Sequence, residues 1–338
     1  MKDKVVLAVV GLGYWGPNLV RNAYLNHEVR LKTICDINPA KFDNIKTFYN
    51  SVVFTQNLED VYNDAEIDAV LIATPPHIHH SVAKKCLEHG KHVLIEKPFT
   101  GKCDEALDLI KLAEQKNLIV FAGHTFLYTG AVEKMKELID SGEVGDILHI
   151  HSSRLNLGRF QNGNTNVVLD LMPHDISMIL HILNNKMPKK IIASAQSHFT
   201  PRVEDTANAT LVFDGNISAH LQVSWINPWK VRTFTVIGTK KMIVFDDTET
   251  TEKIKVYDMG VASSYSNYGE FLASYRYGDT FIPKIKSHEA LWAEINHFVE
   301  CIKNGKKPLT DGKNGYNVVK VVNDIQKAIN LERAWSPE

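Results

Sequence analysis

The stretch Val5-Val6-Leu7-Ala8-Val9-Val10-Gly11-Leu12-Gly13-Tyr14-Trp15-Gly16 decides how the rest of this chain is read. Val5 to Val10 are apolar and mostly β-branched, which suits a strand buried on both faces. Gly11, Gly13 and Gly16 follow in G-x-G-x-x-G spacing. The first glycine allows a tight turn, the second lets the backbone approach a pyrophosphate, and the third lets the next helix pack close to the strand. A helix is expected from about Pro17, a residue tolerated in a first turn. Its free N–H groups and partial positive charge would face a phosphate. Tyr14 and Trp15 lie within the turn and join the expected cofactor contacts. The glycine pattern is weak alone, but its surroundings strengthen it. Val29 to Cys35 alternates like a second strand and ends at Asp36. An acid there would hydrogen-bond an adenosine ribose and repel a 2′-phosphate, so the expected cofactor is NAD.

Strand and helix patterns then alternate. Strands are expected at Val52–Phe54, Ala69–Thr74, His92–Ile95 and Leu118–Ala122. Helices are expected at Pro39–Tyr49, from Leu58, and at His79–His89 and Asp104–Lys116. Such alternation means a doubly wound parallel sheet of the Rossmann kind. From Gly123 the pattern changes. Strand candidates separated by short turns run from Leu148 to Asp246, interrupted by one helix from about Asp170 to Leu183. The fold class is therefore α/β: a dinucleotide-binding domain, residues 1–122, and an α+β domain, residues 123–338, with an open, mostly antiparallel sheet. That second domain is expected to bind substrate and, through an apolar far face of its sheet, a second copy of the chain, giving a homodimer or homotetramer.

Bulk composition narrows the function classes. A length of 338 residues suits two domains. Lys plus Arg number 38 against 39 Asp plus Glu, so no global charge points to nucleic acid or an anionic membrane. Cys35, Cys86, Cys103 and Cys301 have no C-x-x-C spacing and read as free thiols of a reducing compartment. The first apolar run breaks at Gly11, which suits a strand rather than a signal peptide. No apolar run reaches membrane-spanning length. The expected location is the cytoplasm.

Three constellations carry chemistry. Glu96-Lys97-Pro98 follows the fifth strand, where open α/β sheets place ligands. A lysine there would donate to a hydroxyl or carbonyl, or move a proton; by its residues alone it is equally a solvated surface lysine. Asp170 and His174 are four apart, one helix face, in L-D-L-M-P-H-D-I. A carboxylate beside an imidazole orients it; the bland alternative is a half-buried histidine capped by a local acid. Pro173 between them places both in the first turn of the helix. Thr74-Pro75-Pro76-His77-Ile78-His79-His80 holds three histidines, but nothing completes a metal set. No metal is expected; Thr74, Pro75 and His79 are assigned to the cofactor crevice.

G-L-G-Y-W-G, A-T-P-P-H-I-H-H, H-V-L-I-E-K-P-F, D-L-M-P-H-D-I and E-D-T-A-N-A-T-L-V-F together resemble the glucose–fructose oxidoreductase / inositol dehydrogenase (Gfo/Idh/MocA) family over nearly the whole chain. The resemblance implies oxidation or reduction of a secondary alcohol on a sugar or cyclitol. It implies Lys97, Asp170 and His174 as the catalytic residues, with His79 near the nicotinamide and Glu96 beside Lys97 in the cofactor site. G-Y-W-G-P-N-L-V-R-N, R-L-N-L-G-R and S-W-I-N-P-W-K-V-R look most like nucleotide-sugar 3-dehydrogenases. Arg154, Asn156, Arg159, Lys230 and Arg232 fit that reading, because arginine grips phosphate or carboxylate with paired hydrogen bonds. The expected substrate is a small molecule, a nucleotide-linked sugar such as a UDP-N-acetylhexosamine or its uronate, reacting at carbon 3. A dehydrogenase of free inositols or monosaccharides is the first alternative, and a catalytically silent NAD-binding sensor the second.

Overall fold

The computed structural model describes residues 4–43, 45–158, 165–262 and 274–335. The first sheet has six strands: β1 (Val5–Val10), β2 (Val29–Cys35), β3 (Val53–Thr55), β4 (Ala69–Ile72), β5 (His92–Glu96) and β6 (Val120–Gly123). Their order is β3-β2-β1-β4-β5-β6 and every pairing is parallel. The connections are α1 (Gly16–Leu25), α2 (Ala40–Asp43), α3 (Glu59–Tyr62), α4 (His79–Glu88) and α5 (Cys103–Lys116). Parallel strands need such crossovers, and the crossovers bury both faces of the sheet. Val6, Ala8 and Val10 join one core cluster with Val82 and Leu87 of α4 and Leu109 of α5. Leu7 and Val9 are fully buried on the other face. Strand order reverses between β1 and β4, and the carboxyl ends at such a point form a ligand crevice.

The second sheet has eight strands. After α6 (Gly130–Asp140) come β7 (Ile147–Leu157), α7 (Val167–Ile182), β8 (Lys190–Gln196), β9 (Thr206–Val212), β10 (Ser218–Ser224), β11 (Ile226–Gly238), β12 (Met242–Asp246) and β13 (Ile254–Tyr257). β14 (Gly260–Ala262) and β15 (Ser274–Arg276) pair with each other, and β16 (Thr280–Phe281) joins the main sheet. The order is β16-β13-β12-β11-β7-β10-β9-β8, antiparallel except between β7 and β10. Alternation assigns the faces. Ile150, Leu221, Val223, Phe234 and Phe245 are buried on the face that α7 covers. The opposite face is not the apolar one expected. His149, His151, His220, Gln222, Thr233 and Thr235 stand among its aliphatic residues, half-buried or exposed.

α8 (Ala290–Asn304) and α9 (Gly312–Trp335) end the chain. Residues 1–128 and 288–320 form one compact unit, and residues 129–287 and 321–338 the other. A single cut after residue 122 misses the return of α8 to the first unit. α8 places Leu291, Ile295, Phe298 and Val299 in that core, and Phe298 meets Phe121 of β6 edge to face at 5.3 Å. Before α8, Glu289 receives both Arg21 and Asn22 of α1. α7 also starts earlier than expected, at Val167, so Pro173 lies inside the helix and His174 falls in its second turn. Asn166 makes this possible by accepting a cap bond from the Leu169 N–H at 2.9 Å.

Candidate cofactor and catalytic sites

In the first unit, Gly11 has φ of +97°, and a Cβ there would lie 2.5 Å from the Ala73 carbonyl oxygen. Only glycine fits such a position without strain. A Cβ on Gly16 would lie 2.1 Å from the Gly11 carbonyl oxygen, so α1 approaches β1 only because Gly16 lacks one. Gly13 is different: a Cβ there would meet one atom, at 3.9 Å, which leaves its backbone open to a ligand. No side chain caps α1; Pro17 has no N–H and the Asn18 and Leu19 N–H groups turn back to the Trp15 carbonyl, so what the helix start offers an anion is chiefly its partial positive charge. Tyr14 and Trp15 are exposed beside the turn, at 77% and 38%. Asp36 sits 8% exposed at the end of β2. Its carboxylate accepts from the Leu12 N–H at 2.6 Å and the Asn38 N–H at 2.8 Å. These bonds lock an acid against the glycine turn, as an adenosine ribose requires. The nearest cation is Lys41, 3.6 Å from the carboxylate.

Lys97 follows β5, half-buried, and the Lys97–Pro98 peptide is cis. The chain places Glu96 in the floor beneath it. The Glu96 carboxyl accepts from the Lys97 N–H at 3.2 Å and from the Trp15 indole. Burial raises its pKa to about 7. His79 is 1% exposed, with one ring nitrogen 2.9 Å from the Pro98 carbonyl and the other 2.8 Å from the Thr74 carbonyl. With both nitrogens taken, His79 braces the loops after β4 and β5. Burial lowers its pKa even though the two carbonyls favour the charged ring. The other two histidines go elsewhere. His77 is exposed and His80 bonds Asp108 at 2.8 Å. Among the described residues no cluster of His, Cys, Asp or Glu is arranged for a metal. Thr74 keeps an unpartnered buried hydroxyl and Pro75 is exposed.

In the second unit, Asp170 and His174 share one face of α7. The Trp225 indole N–H donates to the Asp170 carboxylate at 3.2 Å. Trp225 is 1% exposed and lies against Gly158, where a Cβ would meet the indole at 2.3 Å. Trp225 had no assigned role in the sequence; a lone tryptophan in the bend between β10 and β11 gives no signal of its target. Arg154 corrects an expectation. It is 4% exposed, and its Nε and Nη2 donate to the two oxygens of Asp175 at 2.9 Å each. That buried fork serves the fold, and Arg154 leaves the substrate set. Asn156 keeps an unpartnered buried oxygen, Lys230 is exposed, and Arg232 reaches Asp247 at 3.4 Å. Arg159 lies outside the described residues.

Comparison with known proteins gives this geometry a family. Residues 5–124 match the profile described as "Oxidoreductase family, NAD-binding Rossmann fold" and residues 132–244 match "GFO/IDH/MocA C-terminal domain". The chain is 26% identical over 353 residues to scyllo-inositol 2-dehydrogenase (NAD(+)) of Bacillus subtilis, covering 98% of this chain and 92% of that one. It is 26% identical over 265 residues to UDP-N-acetylglucosamine 3-dehydrogenase of Acidithiobacillus ferrooxidans, covering 78% and 80%. A solved structure of that dehydrogenase superposes with a TM-score of 0.82 at 23% identity, covering 97% of this chain and 98% of that one. It is also 25% identical over 264 residues to 2,7-anhydro-N-acetylneuraminate hydratase of Escherichia coli K12, covering 73% and 69%. With a profile matched in each half, the chain belongs to the Gfo/Idh/MocA oxidoreductases, and its first unit is their NAD-binding Rossmann domain.

Proposed function

We propose that this oxidoreductase acts on a secondary hydroxyl, at carbon 3, of a nucleotide-linked sugar. The observation that carries the reading is the buried indole held on Asp170. It fixes a carboxylate one helical turn before His174. Gly11, Gly13, Tyr14, Trp15, Gly16, Asp36, Thr74, Pro75, His79, Glu96 and Lys97 would hold the cofactor. The locked Asp36 carboxylate favours a free 2′-hydroxyl, hence NAD rather than NADP. What bound nicotinamide supplies is hydride transfer. The chain's own groups handle the proton: His174, oriented by Asp170, exchanges it with the hydroxyl, and Lys97 donates a hydrogen bond to the same oxygen. The roles of the lysine and the histidine can be exchanged. Asn156, Lys230 and Arg232 offer polar and cationic groups to a diphosphate or uronate.

A second reading has its own support: the inositol dehydrogenase relative aligns over 98% of the chain. A screen of UDP-, GDP- and dTDP-sugars beside free inositols, with NAD present, separates the two. A ligand that binds the folded protein raises its melting temperature. A shift with a nucleotide sugar, and NADH formation with it, is expected; turnover of inositol alone would discard the nucleotide sugar. Because a hydratase is among the relatives, product mass should be read with NADH absorbance. Lys97→Ala should cut kcat about a hundredfold or more with NAD binding kept. A silent NAD-binding sensor would show no turnover to lose. Combining Lys97→Ala with His174→Ala tests whether both serve one step: losses well short of additive are expected.

A further inference from the structure

The carboxyl ends of β5 and β6 hold a buried polar group that the proton handling above does not use. Glu294 of α8 is fully buried. One of its oxygens accepts from the Thr125 hydroxyl at 2.8 Å, and the other has no partner. Glu96 is built alike: it accepts from the Lys97 N–H and the Trp15 indole, and its Oε1 has no partner. The two stand close enough for the charge of Glu96 to act on Glu294. Gly123 lies opposite Glu96 across the ladder, where a Cβ would crowd the Ile95 carbonyl at 3.0 Å and the Glu96 Cα at 3.1 Å. His124 is buried beside them, one ring nitrogen on Asn314 at 2.7 Å and the other unpartnered.

Two ionised carboxylates are acceptors only and cannot satisfy each other in a dry interior. We propose that Glu294 stays protonated as a hydrogen-bond donor behind Glu96, and that the single charge on Glu96 makes this site hold NAD+ more tightly than NADH. In a dinucleotide fold the nicotinamide half of the ligand uses the second set of strands, β4 to β6, as Asp36 serves the first. A carboxylate there attracts the cationic oxidised ring and ignores the neutral reduced one. The charged and titratable groups facing the pair are Lys97, His124 and Tyr128. Burial lowers His124 to about 4, so it is neutral near pH 7. Burial raises Tyr128 far above its ordinary value, so it too is uncharged. Burial and the neighbouring Glu96 both raise Glu294 well above the ordinary carboxyl range.

The inference rests on the NAD site, not on the sugar reading, and it is tested without substrate. Dissociation constants of NAD+ and NADH are measured by calorimetry on the full chain between about pH 6 and 8.5. As Glu96 ionises, the preference for NAD+ should grow about tenfold in the wild type. Glu96→Gln should make the preference independent of pH. Glu294→Gln imitates the protonated acid and should leave the midpoint in place. A flat preference in the wild type overturns the proposal with no variant needed. So does a midpoint that falls by a unit or more in Glu294→Gln, since it would mean Glu294 had carried a charge. Infrared spectra of the cofactor-free protein at about pH 8.5, where Glu96 is ionised, give an independent reading: a protonated carboxyl band present in the wild type and lost in Glu294→Gln is expected, and its absence from the wild type refutes the inference.

Discussion

Glu96 is a residue whose charge state bears on the stability of this fold. Its pKa is about 7, against an ordinary value of 4.5, because burial disfavours the carboxylate. Between those values the folded chain holds a proton that the unfolded chain has released. Stability from that proton is complete below the unfolded value and is lost as pH rises through the folded one. One proton amounts to about 1.4 kcal/mol per pH unit, so at most about 3 kcal/mol is lost across the window. Cofactor-free wild type should therefore lose melting temperature relative to Glu96→Gln as pH is raised from about 5 to 8. A constant difference between the two would refute the assignment. Glu294 could have been noticed in the sequence. Leu291, Ile295 and Phe298 mark the apolar stripe of its helix, and Glu294 lies within that stripe, where a lone carboxyl needs a reason. Arg154 misled for the opposite cause. An arginine in a strand looks the same whether it greets a ligand or, as here, forks onto an aspartate from the covering helix.

At the scale of elements, α7 shows how a cap controls a candidate site. Asn166 accepts the Leu169 N–H, while its own amide donates to Glu204 at 2.6 Å and to Gln326 at 2.9 Å. It ties the start of α7 to β9's approach and to α9. Pro173 removes one bond inside the same helix, so the first turn relies heavily on this cap. Asn166→Ala should cost about 1–2 kcal/mol, the upper part of the range for caps, read as a lower urea midpoint. Asn166→Asp keeps the acceptor and should recover part of the loss. Equal losses in both variants would mean that the cap bond contributes nothing. The four-residue spacing of Asp170 and His174 was legible in the sequence. The helix start was not, because Pro173 reads as a first-turn residue until the cap seven positions earlier is seen.

For the whole molecule, the second sheet leaves one face without a covering helix among the described residues. We propose that a second copy of the chain covers it, although its polar composition makes that contact wetter than expected. Thr235 is central: it pairs with His151, which in turn pairs with His220. Thr235→Glu places a charge there and should convert an oligomer to monomers in light scattering, with the melting temperature little changed. A wild type that is monomeric at micromolar concentration would remove the proposal.

The sequence by itself determined the parallel sheet, the glycine turn and Asp36, because each follows from a short periodicity or from local backbone sterics. It also supplied the types of the residues proposed for chemistry, through motifs only a few residues long. Only the tertiary structure decided what those residues touch. Glu294 comes near Glu96 from nearly two hundred positions away, Trp225 reaches Asp170 from the bend between β10 and β11, and His79 turns inward to two carbonyls. Each of these is a long-range packing outcome in a dry interior, where a polar group takes whichever partner the fold brings near, and no local pattern names that partner in advance.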